Sequence, residues 1–262
     1  MPNLLTKTLW DGRRALAGFT AGIALLAAMY AGFYPQVADR AMGQTVQGFS
    51  PGLRQALRME DLSSAAGYLG SSVFGIIVPL VAVIFGIVTG TRAVAGDEEA
   101  GYLDLLLAHP VSRTRLLLHR FAALTVSAIL IAVVVLLALL AIRPGAQLDS
   151  ITVGEFTAQC LALALLIIVF GTVAMTVGAA TGSRPAALAG SAGIAVLTYA
   201  ASTFASQIGA DALRYASPFH YYIGGEPLRN GFQWADLTIL TATTAVLLTG
   251  AVAAFNRRDL TS

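Results

Sequence analysis

LSSAAGYLGSSVFGIIVPLVAVIFGIVTGT, residues 62–91, runs for 30 residues without one charged side chain. A bilayer hydrocarbon core about 30 Å thick takes about 20 apolar residues per helix. Strands and buried soluble helices are shorter than this run, so its default reading is a membrane helix. Further uncharged stretches occupy residues 15–38, 121–142, 156–183, 185–210 and 237–256. None shows the roughly 10-residue alternation of a membrane barrel. The expected fold is an all-α polytopic membrane protein with six transmembrane helices in a single domain, residues 1–262. Composition agrees. The chain is 56% hydrophobic and 11% charged, against roughly 25% charged in soluble domains. That excludes a soluble enzyme, a disordered chain and a disulfide-rich secreted module. With a net charge of +2 and no basic block, the chain is not expected to bind nucleic acid. The single cysteine, Cys160, allows no internal disulfide.

Trp10, Tyr30, Tyr34, Tyr68, Tyr222 and Trp234 fall near span ends, where amphipathic rings settle at the membrane surface. The first apolar run exceeds the 7–15 residues of a signal-peptide core, and no convincing cleavage site follows, so it reads as a retained helix. Ahead of it, residues 1–14 set Leu4, Leu5, Leu9 and Trp10 against Lys7, Asp11, Arg13 and Arg14. This pattern predicts an interfacial helix. Six spans put both termini on one side. Ten basic residues stand there: Lys7, Arg13, Arg14, Arg92, Arg113, Arg115, Arg120, Arg184, Arg257 and Arg258. Six stand opposite: Arg40, Arg54, Arg58, Arg143, Arg214 and Arg229. The positive-inside rule therefore places both termini in the cytoplasm. Residues 35–67 and 211–236 then fall outside. The second of these, rich in Pro and Gly, is expected to be broken and partly interfacial. Thr152 and Glu155 predict a capping box opening span four.

Several chemistries lack their motifs. No GxxxxGK[ST] loop is present, and Lys7 is the only lysine, so no triphosphate cradle exists on this chain. There is no HExxH and no GxSxG, and His109, His119 and His220 lie at no ligand spacing. No cofactor and no metal are therefore expected here, and an enzyme reading is poor. The uncharged runs contain no acid to serve an ion-coupled pump.

Smaller patterns admit two readings each. The pairs Gly18/Gly22, Gly86/Gly90 and Gly178/Gly182 allow close helix packing, but 26 glycines produce such pairs by chance. Ser191, Ala195, Thr198, Ser202 and Ser206 share one face of span five. They can line a subunit contact or a polar path, or satisfy their own helix by back-bonding. Pro79 removes a backbone donor from span two and marks a possible kink.

Residues 95–121, AGDEEAGYLDLLLAHPVSRTRLLLHRF, interrupt the apolar pattern. An acidic turn, 96–99, precedes a short amphipathic helix bearing Tyr102, Leu103, Leu106 and Leu107, which Pro110 ends. Such a helix between two spans either lies on lipid or docks a partner, and the acidic turn favours the partner.

This stretch resembles the loop between the second and third helices of ABC exporter permeases of the type-two superfamily. That loop shows a Glu, Gly-Thr-Leu-Glu-like residues, a Leu pair and Pro-[Val/Ile]-Ser-Arg. The matching positions are Glu98 or Glu99, Gly101, Tyr102, Leu103, Asp104, Leu106, Leu107, Pro110, Val111, Ser112 and Arg113. Tyr102 stands for the usual Thr, and Asp104 for Glu. Residues 217–222 (SPFHYY) with Glu226-Pro227-Leu228, and residues 255–260 (FNRRDL), are similar to the family's segment before the last helix and to its C-terminal end.

The resemblance implies a half-transporter of a bacterial plasma membrane. A second permease subunit, copy or relative, would pair with it. Residues 92–120 would carry a cytoplasmic coupling helix docking a separate ABC ATPase subunit that holds ATP and Mg. Arg184, in the turn between spans four and five, would be a second contact. Few charges in the membrane favour an apolar or amphipathic cargo. The alternatives are a membrane scaffold or assembly factor using the same fold and, third, a secondary transporter.

Overall fold

A computed structural model of the chain describes residues 4–38, 52, 61–96 and 112–257. Among these residues all regular elements are helical. Helix α1 is Leu4–Gly32 and α2 is Tyr34–Ala38. The second span opens with α3, Ala65–Tyr68, passes through a π-helix over Leu69–Ile77 and continues as α4, Val78–Thr91. A π-helical turn, Arg92–Gly96, follows. Then come α5, Arg113–Ile142, α6, Val153–Thr181, and α7, Arg184–Phe204. Short 3-10 turns, Ala205–Ile208 and Asp211–Ala216, lead into α8, Pro218–Ile223, and α9, Pro227–Asn230. The last helix is α10, Trp234–Arg257. Six stretches are long and apolar enough to cross a membrane, so the chain is an all-α polytopic membrane protein.

Local chemistry sets the helix starts. The Ser112 hydroxyl accepts from the Arg115 N–H at 3.3 Å and opens α5. At α6 the capping box forms in both directions. The Thr152 N–H donates to Glu155 Oε2 at 2.7 Å, and the Glu155 N–H donates to Thr152 Oγ1 at 3.2 Å. Glu155 is thereby a capping residue. Helix α6 ends at Gly182, whose φ of 66° suits a residue without a Cβ. Ser183 caps α7 directly after it.

Two boundaries depart from the uncharged runs. Helix α5 begins at Arg113 instead of residue 121, because its cap lies at Ser112 and its 30 residues reach about 45 Å. Its basic first turns therefore project beyond the apolar slab. The interfacial helix expected at 1–14 is not a separate element over the described residues. Residues 4–14 are the opening turns of α1, which contains no proline to break it. Trp10 there is 65% exposed, and the Arg13 guanidinium covers its ring at 3.9 Å.

Helix α6 is the axis of the bundle and its most buried span. It packs on α4, α5, α7 and α10. Glycines allow the closest of these approaches. A Cβ on Gly86 would lie 2.6 Å from the Ile167 carbonyl oxygen, and one on Gly171 would lie 2.5 Å from Leu124 Cδ2. A Cβ on Gly90 would collide with the Gly171 carbonyl oxygen. Gly18 and Gly22, at the same spacing, face open space.

The chain between α7 and α10 folds back into the bundle. Ser217 Oγ donates to the Thr198 carbonyl at 2.7 Å, and the Phe219 ring packs on Phe170 of α6 and on Tyr199 of α7. Ser217, Phe219, Tyr222, Ile223 and Leu228 are buried. This segment is broken, as the prolines and glycines predict, but it returns among the helices.

Candidate functional site

Two regions gather polar groups at opposite ends of the bundle. At the end carrying both chain termini, the Arg113 guanidinium donates to the Phe255 carbonyl at 3.2 Å and lies 5.9 Å from that ring's centre. A cation at the last carbonyls of α10 meets the negative end of the helix dipole. Asn256 Nδ2 donates to Thr114 Oγ1 at 3.1 Å, and Arg120 donates to Thr8 Oγ1 at 3.2 Å. The start of α5 is therefore fastened to both termini. Upstream of residues 97–111, the π-helical turn Arg92–Gly96 rests on the end of α6. A Cβ on Gly178 would come within 3.5 Å of Ala95 Cβ. The described residues that precede and follow 97–111 thus pack on different long helices.

Of the expected coupling residues, Glu98, Glu99, Gly101, Tyr102, Leu103, Leu106, Leu107 and Pro110 lie outside the described residues. Arg113 is placed at the downstream edge of that loop. Arg184 is exposed in the first turn of α7, at the terminal end.

The span-five stripe is largely covered by the chain's own helices. Ser191 is fully buried and its hydroxyl donates to the Ala187 carbonyl; Ala195 is buried beside it. The Thr198 hydroxyl donates to the Ile194 carbonyl at 2.7 Å. Ser202 is half-buried, and the Ser206 side chain is outside what is described. The face of α7 turned outward carries Ile194, Val196 and Leu197. Back-bonding and packing within the subunit account for Ser191, Ala195 and Thr198. Pro79 stands at the second residue of α4, just past the π-helix.

At the opposite end, Arg229 of α9 reaches Asp61 ahead of α3, with Glu226 3.4 Å from the same guanidinium. Ser64 Oγ donates to Asp61 Oδ2 at 2.7 Å and accepts from Arg229 at 3.0 Å. Ser63 Oγ donates to Asp61 Oδ1 at 2.8 Å. The Ser64 hydroxyl above all, with Ser63 and the Arg229 guanidinium, holds the Asp61 carboxyl below its ordinary value near 3.8. A carboxyl so depressed stabilises the fold above that ordinary value and loses its contribution as pH falls through the lowered one. Both side chains are partly exposed, so the gain is modest. Asp61→Asn is expected to melt slightly below wild type at pH 7, with the difference shrinking as pH falls through the lowered value. A difference that grows in acid would contradict the assignment.

Sequence reading did not find this cluster, because Asp61 and Arg229 are 168 positions apart. The Gln159 amide is fully buried in α6, and neither Nε2 nor Oε1 has a hydrogen-bond partner among the described residues. Among the described residues, no three His, Cys, Asp or Glu side chains converge.

A helical bundle of six spans, with polar groups gathered at its two ends, has the build of a multi-pass membrane subunit. The family comparison gives this class its name. The chain belongs to the ABC-2 transporter family: the family model described as ABC-2 family transporter protein matches residues 3–260. No curated protein matches the chain. The protein is therefore a multi-pass permease subunit of an ABC transporter, a family whose membrane chains associate with ABC ATPases.

Proposed function

We propose that this subunit serves an ATP-driven exporter in a bacterial plasma membrane, with both termini and the 97–111 segment in the cytoplasm. The observation that carries this reading is the packing of the described residues on either side of that segment. Ala95 lies beside Gly178 of α6, and Arg113 donates to the Phe255 carbonyl at the end of α10. A push on the segment would reach the central helix and the last helix together. Glu98, Glu99, Gly101, Tyr102, Leu103, Leu106, Leu107 and Pro110 would form the contact with an ABC ATPase holding ATP and Mg, and Arg184 a second one. A second permease subunit would complete the translocation path, and the apolar spans favour an apolar or amphipathic cargo.

Labelling with a membrane-impermeant maleimide, in a Cys160→Ser background, tests the orientation. Gln47→Cys is expected to react in intact cells and Asp104→Cys only after permeabilisation; the reverse pattern would overturn the reading. The purified chain alone is also expected to show no saturable binding of ATP with magnesium. Micromolar binding to this chain would contradict the assignment of nucleotide to a partner.

A further inference from the structure

We propose that the second span is built as two separately anchored halves joined at residues 75–79, with the Tyr199 hydroxyl of α7 as the pin that holds the joint. The joint begins in the backbone. The π-helix Leu69–Ile77 carries a five-residue ladder, and the Val78 N–H still donates to the Val73 carbonyl. From Val78 the ladder is α-helical. Pro79 has no N–H, so it donates neither to Gly75, four residues back, nor to Phe74, five back. A carbonyl that loses a ladder donor in an apolar setting gains from a donor elsewhere. Tyr199 supplies one: its hydroxyl donates to the Gly75 carbonyl at 3.3 Å. π-Helical turns occur mostly where helices serve a function. This one coincides with a proline and a donor from another span.

The halves on either side have different neighbours. The half toward the terminal end, α4, is locked to α6 through Gly86 and Gly90 against Ile167 and Gly171, where no side chain could fit. The π-helical half packs on α1 and on the re-entrant helix α8. Its start is tied further outward. The Tyr68 hydroxyl donates to the Tyr30 carbonyl at 3.0 Å, the Tyr34 hydroxyl to the Ser63 carbonyl at 2.9 Å, and Asp61 meets Arg229 of α9. The Tyr199 ring packs edge-on against Phe219 of α8 at 5.2 Å. The pin therefore links the joint to α8, which itself also packs on Phe170 of α6. Loss of the pin would free the upper half of span two to bend about Gly75 while α4 stays seated on α6.

This inference needs no ATPase or cargo, so it can fail while the functional reading stands. Amide hydrogen exchange on the full chain in lipid nanodiscs tests it. Peptides from residues 69–77 are expected to exchange faster than those from residues 82–91. Tyr199→Phe is expected to speed exchange in residues 69–77 about fivefold, the factor for one lost hydrogen bond of roughly 1 kcal/mol, and to leave 82–91 unchanged. Pro79→Ala supplies a backbone donor within reach of the Phe74 and Gly75 carbonyls and is expected to slow exchange in residues 69–77. Adding Tyr199→Phe to Pro79→Ala is then expected to change little, because the pin has nothing left to hold. Equal acceleration of both halves by Tyr199→Phe, or the same fivefold effect in both backgrounds, would overturn the proposal.

Discussion

Gly90→Ala is expected to lower the melting temperature of the purified chain by about 10 °C, the largest loss among the single substitutions considered. The added methyl meets the backbone carbonyl of Gly171, which cannot rotate away as a flexible side chain would. Span two must then shift away from α6, opening the contact at Gly86 as well. Overpacking of this kind costs about 1–3 kcal/mol, and roughly 3 is the expectation at a backbone-to-backbone contact. For a chain of this size each kcal/mol moves the melting point by about 2–4 °C. Gly18→Ala and Gly22→Ala supply the contrast. Both positions face open space, and alanine favours a helix over glycine by about 1 kcal/mol. Their melting points are expected at or slightly above wild type. If Gly90→Ala melts with wild type, the seating of span two on the central helix is wrong.

The second large effect falls on the proposed partner contact. Leu106→Asp is expected to weaken ATPase docking about ten- to a hundredfold. Residues 101–108 are too few to persist as a helix alone in water, so a partner surface must hold them. Burying a leucine is worth roughly 1.5–3 kcal/mol, which converts to that range of affinity. Glu99→Lys is expected to impair coupling and leave the membrane fold intact, since a positive charge would oppose the dipole at the start of the helix proposed there. Titration of the ATPase against nanodiscs holding each variant measures docking, and melting of the same samples measures the fold. Wild-type docking with Leu106→Asp would remove this segment from the contact.

The spans were legible in the sequence because exclusion of charge from hydrocarbon is a strong and local rule. The capping box at Thr152 and Glu155 was legible for a similar reason: both partners lie within one turn. Whatever depends on a neighbouring helix was not. Gly86/Gly90 and Gly18/Gly22 are the same motif, yet only the first pair meets another backbone. The serine stripe announced a shared face of α7 but not its direction. It points largely inward, while Val196 and Leu197 point out. The start of α5 at Arg113 followed a serine cap instead of the end of the charges. The Pro79 signal was visible, but the π-helix before it and the Tyr199 donor, 124 positions away, were not. The re-entrant course of α8 rests on Phe219 meeting Phe170 and Tyr199, contacts that no periodicity encodes.

The account stands or falls on what residues 97–111 touch. Leu103→p-benzoylphenylalanine, introduced by stop-codon suppression and irradiated in the cells' own membranes, reports that contact directly. The predicted result is one dominant adduct between this chain and an ABC ATPase, identified by mass spectrometry through its phosphate-binding loop and lost with Leu106→Asp. Adducts with lipid alone, or with a protein lacking that loop, would contradict the claim that this permease is driven through this segment.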